Sequence, residues 1–341
     1  MLVPILQVAA GFVLLAMGAE GLVRGAASLA LRLGVSSLVV GLTIVAFGTS
    51  SPELIVSVRA ALAGNEGIAV GNVVGSNIFN IGVILAIAAL LCPIVFDKGL
   101  ARRETPVMLG VALLVPALAL LGGHVAATEA DPAHWVVGRW AGLACVVLGV
   151  AYTLYAYRMA RRGGPVAIAQ YEADVGGGET AAQARRRPVW LDISFVIAGT
   201  LVLVIGSRLL VDGATVLART FGVSELVIGL TIVSAGTSLP ELATSVVAAL
   251  RKEPDICVGN VIGSNIYNVL FIMGAAALAS PLSFEAAVMF RDVPAMLVMS
   301  VLCVVVLWTG SRITRWEGAA LLAVFLAYMA LLITQARGAG A

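Results

Sequence analysis

Two stretches of this chain, 188 residues apart, are nearly the same sequence. Residues 41–80 read GLTIVAFGTSSPELIVSVRAALAGNEGIAVGNVVGSNIFN, and residues 229–268 read GLTIVSAGTSLPELATSVVAALRKEPDICVGNVIGSNIYN. Twenty-six of the 40 positions are identical without a gap. Shared hydrophobicity accounts for matched Val and Leu, but not for matched Gly, Thr, Ser, Pro, Glu and Asn. The register runs on outside the motif: Gly34-Val35-Ser36 matches Gly222-Val223-Ser224, Pro93 matches Pro281, and Phe96 matches Phe284. Any fold for this chain must place two copies of one unit.

Composition decides what surrounds those copies. Of 341 residues, 60% are hydrophobic and 12% charged, against about 25% charged in a soluble domain. Mean hydropathy is +1.04. A globule in water would lack polar surface, and disorder needs the opposite composition. The expected fold is an all-α polytopic membrane protein. Ten segments reach the roughly 20 apolar residues that a helical span requires: 3–30, 37–63, 68–92, 104–123, 135–157, 190–218, 225–250, 256–280, 290–309 and 315–335. With the N-terminus outside, 14 of the 21 Lys and Arg fall on the inner side and 5 on the outer, while Arg24 and Arg208 fall within spans. That asymmetry predicts both termini outside. The segment 158–189 becomes a Gly-rich, basic-ended cytoplasmic linker, and its acids (Glu172, Asp174, Glu179) do not match an EF-hand loop. The N-terminal MLVPILQVAAG lacks a basic n-region and reads as the start of the first span.

Five crossings separate the two copies, so equivalent segments run in opposite directions through the bilayer. The expected organisation is a first five-span repeat over 1–157, carrying motif 41–80, and a second over 190–341, carrying motif 229–268. Inverted repeats of this kind characterise secondary transporters, with a site at the midplane between the halves. Other classes find less support. The net charge of +2 makes no case for nucleic acid. No ATPase P-loop is present, no enzyme activity or cofactor is expected, and no obligate protein partner is evident. His124 and His134 lie near one loop, and Cys92, Cys145, Cys257 and Cys303 are spaced for neither zinc nor disulfides; the cysteines are expected to be buried apolar residues.

Glu53 and Glu241 stand at equivalent places near the centres of the second and seventh spans. A carboxylate there costs at least about 2.5–3.5 kcal/mol. With no Lys or Arg at matching depth, a bound cation is the best compensator. Pro52 and Pro240 precede the glutamates. A proline within a helix displaces the carbonyl four residues back, here Gly48 and Gly236, so each helix is expected to unwind just before its glutamate. Freed carbonyls and the hydroxyls of Thr49, Ser50, Thr237 and Ser238 then line the gap. On the third and eighth spans, Ser76 shares a helix face with Asn80, and Ser264 with Asn268. Asn77 and Asn265 are expected to serve helix packing. The set is rich in oxygen and free of thiol and imidazole, which suits Ca²⁺ or Na⁺ rather than zinc or copper.

GTSSPEL and GTSLPEL, each followed by GNVxGSNIxN, resemble the two alpha-repeats of the cation/calcium exchanger superfamily, in particular its bacterial and archaeal sodium/calcium exchangers. The resemblance covers nearly the whole chain. It implies that Glu53 and Glu241 are Ca²⁺ ligands, with the backbone carbonyls of Thr49 and Thr237. It implies Na⁺ ligands in the hydroxyls of Thr49, Ser50, Thr237, Ser238, Ser76 and Ser264 and the carbonyls of Ala46 and Ser234. Asn80 and Asn268 match the central positions; some relatives have an aspartate at the second, so this site carries two formal negative charges rather than three. The implied activity is exchange of Ca²⁺ for Na⁺ by alternating access in the plasma (inner) membrane, with spans 1 and 6 as a mobile pair. An H⁺-coupled or K⁺-dependent Ca²⁺ antiporter is the alternative, and a cation channel or scaffold belongs to another class. Protons are expected to compete with cations at the paired carboxylates. One further expectation concerns spans 1 and 6. Glu20 and Arg24 are four apart, as are Arg208 and Asp212 at the aligned places with signs reversed, so each pair is expected to close as an i,i+4 salt bridge.

Overall fold

The structure, a computed structural model, describes residues 2–96, 98–125, 134–162, 188–221, 234–310 and 312–338. Among the described residues, eight helices are long and apolar enough to cross a membrane, and one bent pair adds a ninth crossing. In chain order these are α1 (Leu2–Leu33), the bent pair α2 (Ser37–Thr49) and α3 (Ser51–Leu62), α4 (Glu66–Leu91), α5 (Lys98–Gly122), α6 (Arg139–Arg162) and α7 (Val189–Thr220). There follow the shorter α8 (Leu239–Leu250), then α9 (Pro254–Ala279), α10 (Val288–Thr309) and α11 (Arg315–Gly338). The chain is an all-α, multi-pass integral membrane protein. Nine of the ten expected spans find a crossing helix. Of the tenth, 225–250, α8 is the described part, with 222–233 outside the described residues, as is 163–187 of the linker.

Burial sorts the helices. α4 and α9 are the most enclosed spans, with most of their residues buried, as central helices are. They carry the Ser/Asn half of each motif. The bent pair α2/α3 and α8 flank them and carry the glutamates. Outer helices turn large apolar side chains outward, such as Phe12, Leu121, Val147 and Leu326, where lipid replaces water as the solvent.

Short strands, which the sequence pattern did not predict, clasp the ends of the helices. β1 (Ile94–Val95), after α4, pairs antiparallel with β5 (Arg312–Ile313), before α11. β4 (Leu282–Glu285), after α9, pairs antiparallel with β3 (His134–Val137), before α6, in the register Trp135↔Phe284, and β2 (His124–Val125) lies on the other edge of β3. Each half thus closes its loop on a strand of the other. An acid clamp recurs within each half, on a buried glutamate in one and a part-buried aspartate in the other. Glu104 is held by Arg103 at 3.0 Å and by the Tyr152 hydroxyl at 3.1 Å; Asp292 is held by Arg291 and Tyr328 at 2.7 and 2.8 Å. They tie α5 to α6 and α10 to α11. The thiols of Cys145, Cys257 and Cys303 are buried, as expected, whereas Cys92, just past the end of α4, is only half-buried because the helix ends there.

α1 and α7 lie against each other antiparallel along a stripe of glycines, Gly11, Gly18 and Gly25 facing Gly199, Gly206 and Gly213. The backbones touch: a Cβ on Gly18 would stand 2.7 Å from the Leu203 nitrogen, and one on Gly206 would stand 2.9 Å from the Leu15 nitrogen. Small residues at such crossings allow main-chain approach that larger ones forbid. Arg32 and the buried Asp192 pair at 3.0 Å at one end of this unit.

The expected i,i+4 pairs do not form. Glu20 pairs instead with Arg251 at the end of α8, and the Arg24 guanidinium lies 5.7 Å over the Phe195 ring. Arg208 and Asp212 are exposed, and no salt bridge joins them among the described residues. The physical reason is that α8 ends beside α1 and delivers a cation from another helix, which outcompetes a neighbour on the same one.

The backbone contact at Gly18 gives a sharp expectation. Gly18→Ala should destabilise the detergent-solubilised protein by about 1–3 kcal/mol, the usual cost of overpacking. Gly110→Ala, with nothing within 4 Å of its new methyl, should change stability by less than about 0.5 kcal/mol. Thermal unfolding of the two variants tests the difference.

Candidate cation site

The glutamates sit where two half-helices meet. α2 ends at Thr49, Ser50 takes a non-helical conformation (φ −81°, ψ 8°), and α3 sets off at 46° to α2 with Pro52 in its first turn. The break is a single residue with a bend, tighter than the expected unwinding. Proline explains it, because Pro52 has no N–H for the Gly48 carbonyl and its ring suits the first turn of a new helix. The second copy repeats the geometry: Ser234–Gly236 form a short turn of helix, Ser238 has φ −90° and ψ 8°, and α8 begins with Pro240 in its first turn. Glu53 and Glu241 therefore lie in the first turn of a helix, where the helix dipole favours an anion.

The two halves then bond each other's carboxylates. The Ser50 hydroxyl donates to Glu241 Oε1 at 2.8 Å, and the Ser238 hydroxyl donates to Glu53 Oε1 at 3.1 Å. Ser264 Oγ lies 3.1 Å from Ser50 Oγ, and Ser76 Oγ lies 3.3 Å from Ser238 Oγ. Adding or subtracting 188 turns each bond into its counterpart. The same holds one layer out. Thr49 donates to Asn260 Oδ1 at 3.1 Å, and Thr237 to Asn72 Oδ1 at 3.5 Å. The Asn72 amide donates to the Glu53 carbonyl at 3.3 Å and to Ser57 at 2.9 Å; Asn260 does the same to Glu241 and Ser245 at the same distances.

What is left over defines the chemistry. Among the glutamates, serines and asparagines of this cluster, four buried oxygens have no hydrogen-bond partner: Glu53 Oε2, Glu241 Oε2, Asn80 Oδ1 and Asn268 Oδ1. All four are acceptors when the carboxylates are ionised, two come from each half, and the carboxylates are near enough to interact electrostatically. No basic side chain bonds either glutamate among the described residues. Each orphaned polar group costs about 1–3 kcal/mol, more when charged. All four are oxygen ligands of the kind that hard cations such as Ca²⁺ and Na⁺ take. α4 and α9 each widen into a π-helical turn that begins at the asparagine, Asn80–Leu85 and Asn268–Met273, a local change frequent at functional sites.

The structure brings together Glu53, Glu241, Ser50, Ser238, Ser76, Ser264, Thr49 and Thr237, as the sequence suggested. Asn80 and Asn268 stand one helical turn beyond Ser76 and Ser264 on the same face of α4 and α9, each with its Oδ1 unpartnered. The Ala46 carbonyl already accepts from the Ser50 amide at 3.0 Å and from the Thr49 hydroxyl at 3.3 Å; the Ser234 side chain lies outside the described residues. Asn72 and Asn260, with Ser57 and Ser245, were not singled out from sequence. Their signal was present, because all four are identical between the copies, but a polar residue bonded only to its neighbours looks like any packing residue until the two halves meet.

Neutralising one carboxylate at constant shape should remove divalent-cation binding. Glu53→Gln is expected to weaken Ca²⁺ binding at least about a hundredfold, since removing one member of a buried charge pair costs about 2–5 kcal/mol. Because their bonds are reciprocal, Ser50→Ala and Ser238→Ala should weaken it by factors within about threefold of each other. Ca²⁺-dependent thermal stabilisation of the purified variants measures all three.

Comparison with known proteins agrees with this geometry. The family described as sodium/calcium exchanger protein matches residues 3–158 and 191–334. The putative antiporter CaxA of Alkalimonas amylolytica is 37% identical over 98% of this chain and 100% of its own length. The sodium/calcium exchanger MaX1 of Methanosarcina acetivorans is 32% identical over 94% of this chain and 96% of its own. A solved structure of the sodium–calcium exchanger NCX_Mj superposes with a TM-score of 0.78 at 29% identity, covering 97% of this chain and 99% of that one. With two copies of the GTSxPE motif folded against each other around paired glutamates, and with that family match spanning both halves, the chain belongs to the sodium/calcium exchanger family of membrane transporters.

Proposed function

We propose that this protein is a secondary active antiporter that exchanges Ca²⁺ for Na⁺ by alternating access at the site between Glu53 and Glu241. The observation that carries the reading is the set of four buried acceptor oxygens without a donor, two from each half. Two ionised glutamates bring a charge of −2, which one Ca²⁺ neutralises. Each keeps one oxygen fixed by a serine of the other half and presents its second oxygen bare. Ca²⁺ takes the bare carboxylate oxygens together with the carbonyls of Thr49 and Thr237. Na⁺ ions use the hydroxyls of Ser50, Ser238, Ser76, Ser264, Thr49 and Thr237, and the carbonyls of Ala46 and Ser234. The two sets share Thr49 and Thr237 and meet where Ser50 and Ser238 of the sodium set hold the carboxylates of the calcium set, so occupancy by one species excludes the other. That exclusion is the physical basis of antiport, and the unpaired charges of an empty site disfavour crossing without cargo.

Alternating access follows from the arrangement of ten spans as two inverted repeats, 1–157 and 190–341, joined by a cytoplasmic linker, with both termini outside. The reciprocal hydrogen bonds, strand clasps and acid clamps support that pseudo-symmetry. The glycine-faced unit α1/α7 is the element suited to slide over the remainder, since its inner contact is backbone against backbone.

The test is uptake of ⁴⁵Ca²⁺ into proteoliposomes loaded with Na⁺, compared with K⁺-loaded vesicles and with an imposed pH gradient. Uptake should require internal Na⁺ and vanish in Glu53→Gln. Uptake driven by the pH gradient alone would replace sodium with protons as the coupling ion, and conductance without coupling would point to a channel.

A further inference from the structure

An asparagine presents either a carbonyl oxygen or an NH₂ group, and the two ends are nearly the same shape. At Asn80 and Asn268 the choice decides whether the cluster attracts a cation. With the oxygens inward, the layer has bare acceptors only. With the NH₂ groups inward, the amides would donate to the carboxylates, and the site would satisfy itself without an ion.

The orientation is fixed from outside the cluster. Asn268 Nδ2 donates to Asn77 Oδ1 at 2.9 Å. Asn77 cannot turn over, because its own Nδ2 donates to the main-chain carbonyl of Asn265 at 3.3 Å and lies 3.6 Å from the Met296 sulfur, neither of which can donate. Polarity is thus passed from a backbone carbonyl through Asn77 to Asn268, whose Oδ1 remains bare and buried. The other half repeats the chain without the backbone bond, with a sulfur as the anchor. Asn265 Nδ2 lies 3.7 Å from the Met108 sulfur, and Asn265 Oδ1 accepts from Asn80 Nδ2 at 2.9 Å, which leaves Asn80 Oδ1 bare. Asn80 shares its helix face with Ser76, which lies 3.3 Å from the serine that holds Glu53. Asn77 and Asn265 are buried.

We propose that Asn77 and Asn265 are positioning residues that hold Asn268 and Asn80 oxygen-inward and so keep the site selective for cations over an ion-free, self-bonded state. The proposal rests on the cluster being the ion site. It differs from a packing role in one respect. A carboxylate has two equivalent oxygens and nothing to orient, so an aspartate at 268 makes Asn77 dispensable for binding.

The experiment uses the full-length protein in detergent and reads the rise in Tm on titration with Ca²⁺ and, separately, Na⁺. Asn77→Leu, and the smaller Asn77→Ala in case the leucine prevents folding, should each raise the half-saturating concentration at least tenfold. Adding the same substitution to Asn268→Asp should change the half-saturating concentration of that variant by less than threefold. Binding by the Asn77 variants within threefold of wild type would overturn the proposal. So would an equal loss in the Asn268→Asp background, which is the mark of a packing residue. A wild-type protein whose Tm responds to neither ion would overturn the cation-site reading itself, an outcome distinct from normal wild-type binding that is indifferent to Asn77.

Discussion

Two carboxylates buried close to each other, with no basic side chain bonded to either, are the constraint around which the molecule is arranged. An apolar interior tolerates such a pair only if each oxygen is met by a donor or a cation. The protein meets half of that demand and leaves the other half open. Ser50 and Ser238 each cross to the opposite copy to hold one oxygen, and the second oxygen of each glutamate stays bare. Because the fixed donors come from the other half, neither copy builds a site alone. The duplicated sequence becomes functional at the contact between its copies.

The local structure follows from that demand. The glutamates lie in the first turn of new half-helices because prolines precede them, and the short breaks at Ser50 and at Thr237-Ser238 turn two serine hydroxyls toward the opposite carboxylates. Facing them, α4 and α9 widen at Asn80 and Asn268. Around this centre an outer layer of Asn72, Asn260, Asn77 and Asn265 fixes the main chain and the amides of the inner one. Glutamates and serines form the inner hydrogen-bonded layer, and the outer asparagines hold its main chain and the amides of Asn80 and Asn268 in place.

Much of this was legible in the amino-acid sequence. Hydropathy located the spans to within a few residues, since a bilayer demands long apolar runs. The repeat located the site, because only functional constraint keeps Thr, Ser, Pro and Glu identical between copies. What escaped had a common physical cause, namely dependence on approach between segments distant in the chain. The partner of Glu20 is Arg251, and helical spacing could suggest only Arg24. Asn77 and Asn265 looked like packing residues because the carbonyl and amides they meet belong to the opposite repeat. The strands β1 to β5 are two to four residues long, too short for an alternating pattern, and they exist because a loop of one half finds an edge on the other.

The symmetry is imperfect in one region. The Gly236 carbonyl, freed by Pro240, is taken by the Ser207 hydroxyl of α7 at 2.5 Å. The equivalent of Ser207 is Ala19, which has no hydroxyl for the Gly48 carbonyl. Glu20 grips Arg251, while the equivalent places hold Arg208 and Ala63. Arg32 grips Asp192, while the equivalent places hold Thr220 and Pro4. A carrier with identical halves would rest equally in its two orientations and show the same half-saturation on both faces. Contacts confined to one half give the orientations unequal energies, and apparent affinity on each face scales with the fraction of molecules presenting the site there. The ionic gradient at which net flux stops is set by ion stoichiometry alone. For a carrier that works by the proposed alternating access, the unmatched contacts would decide on which side of the membrane it waits.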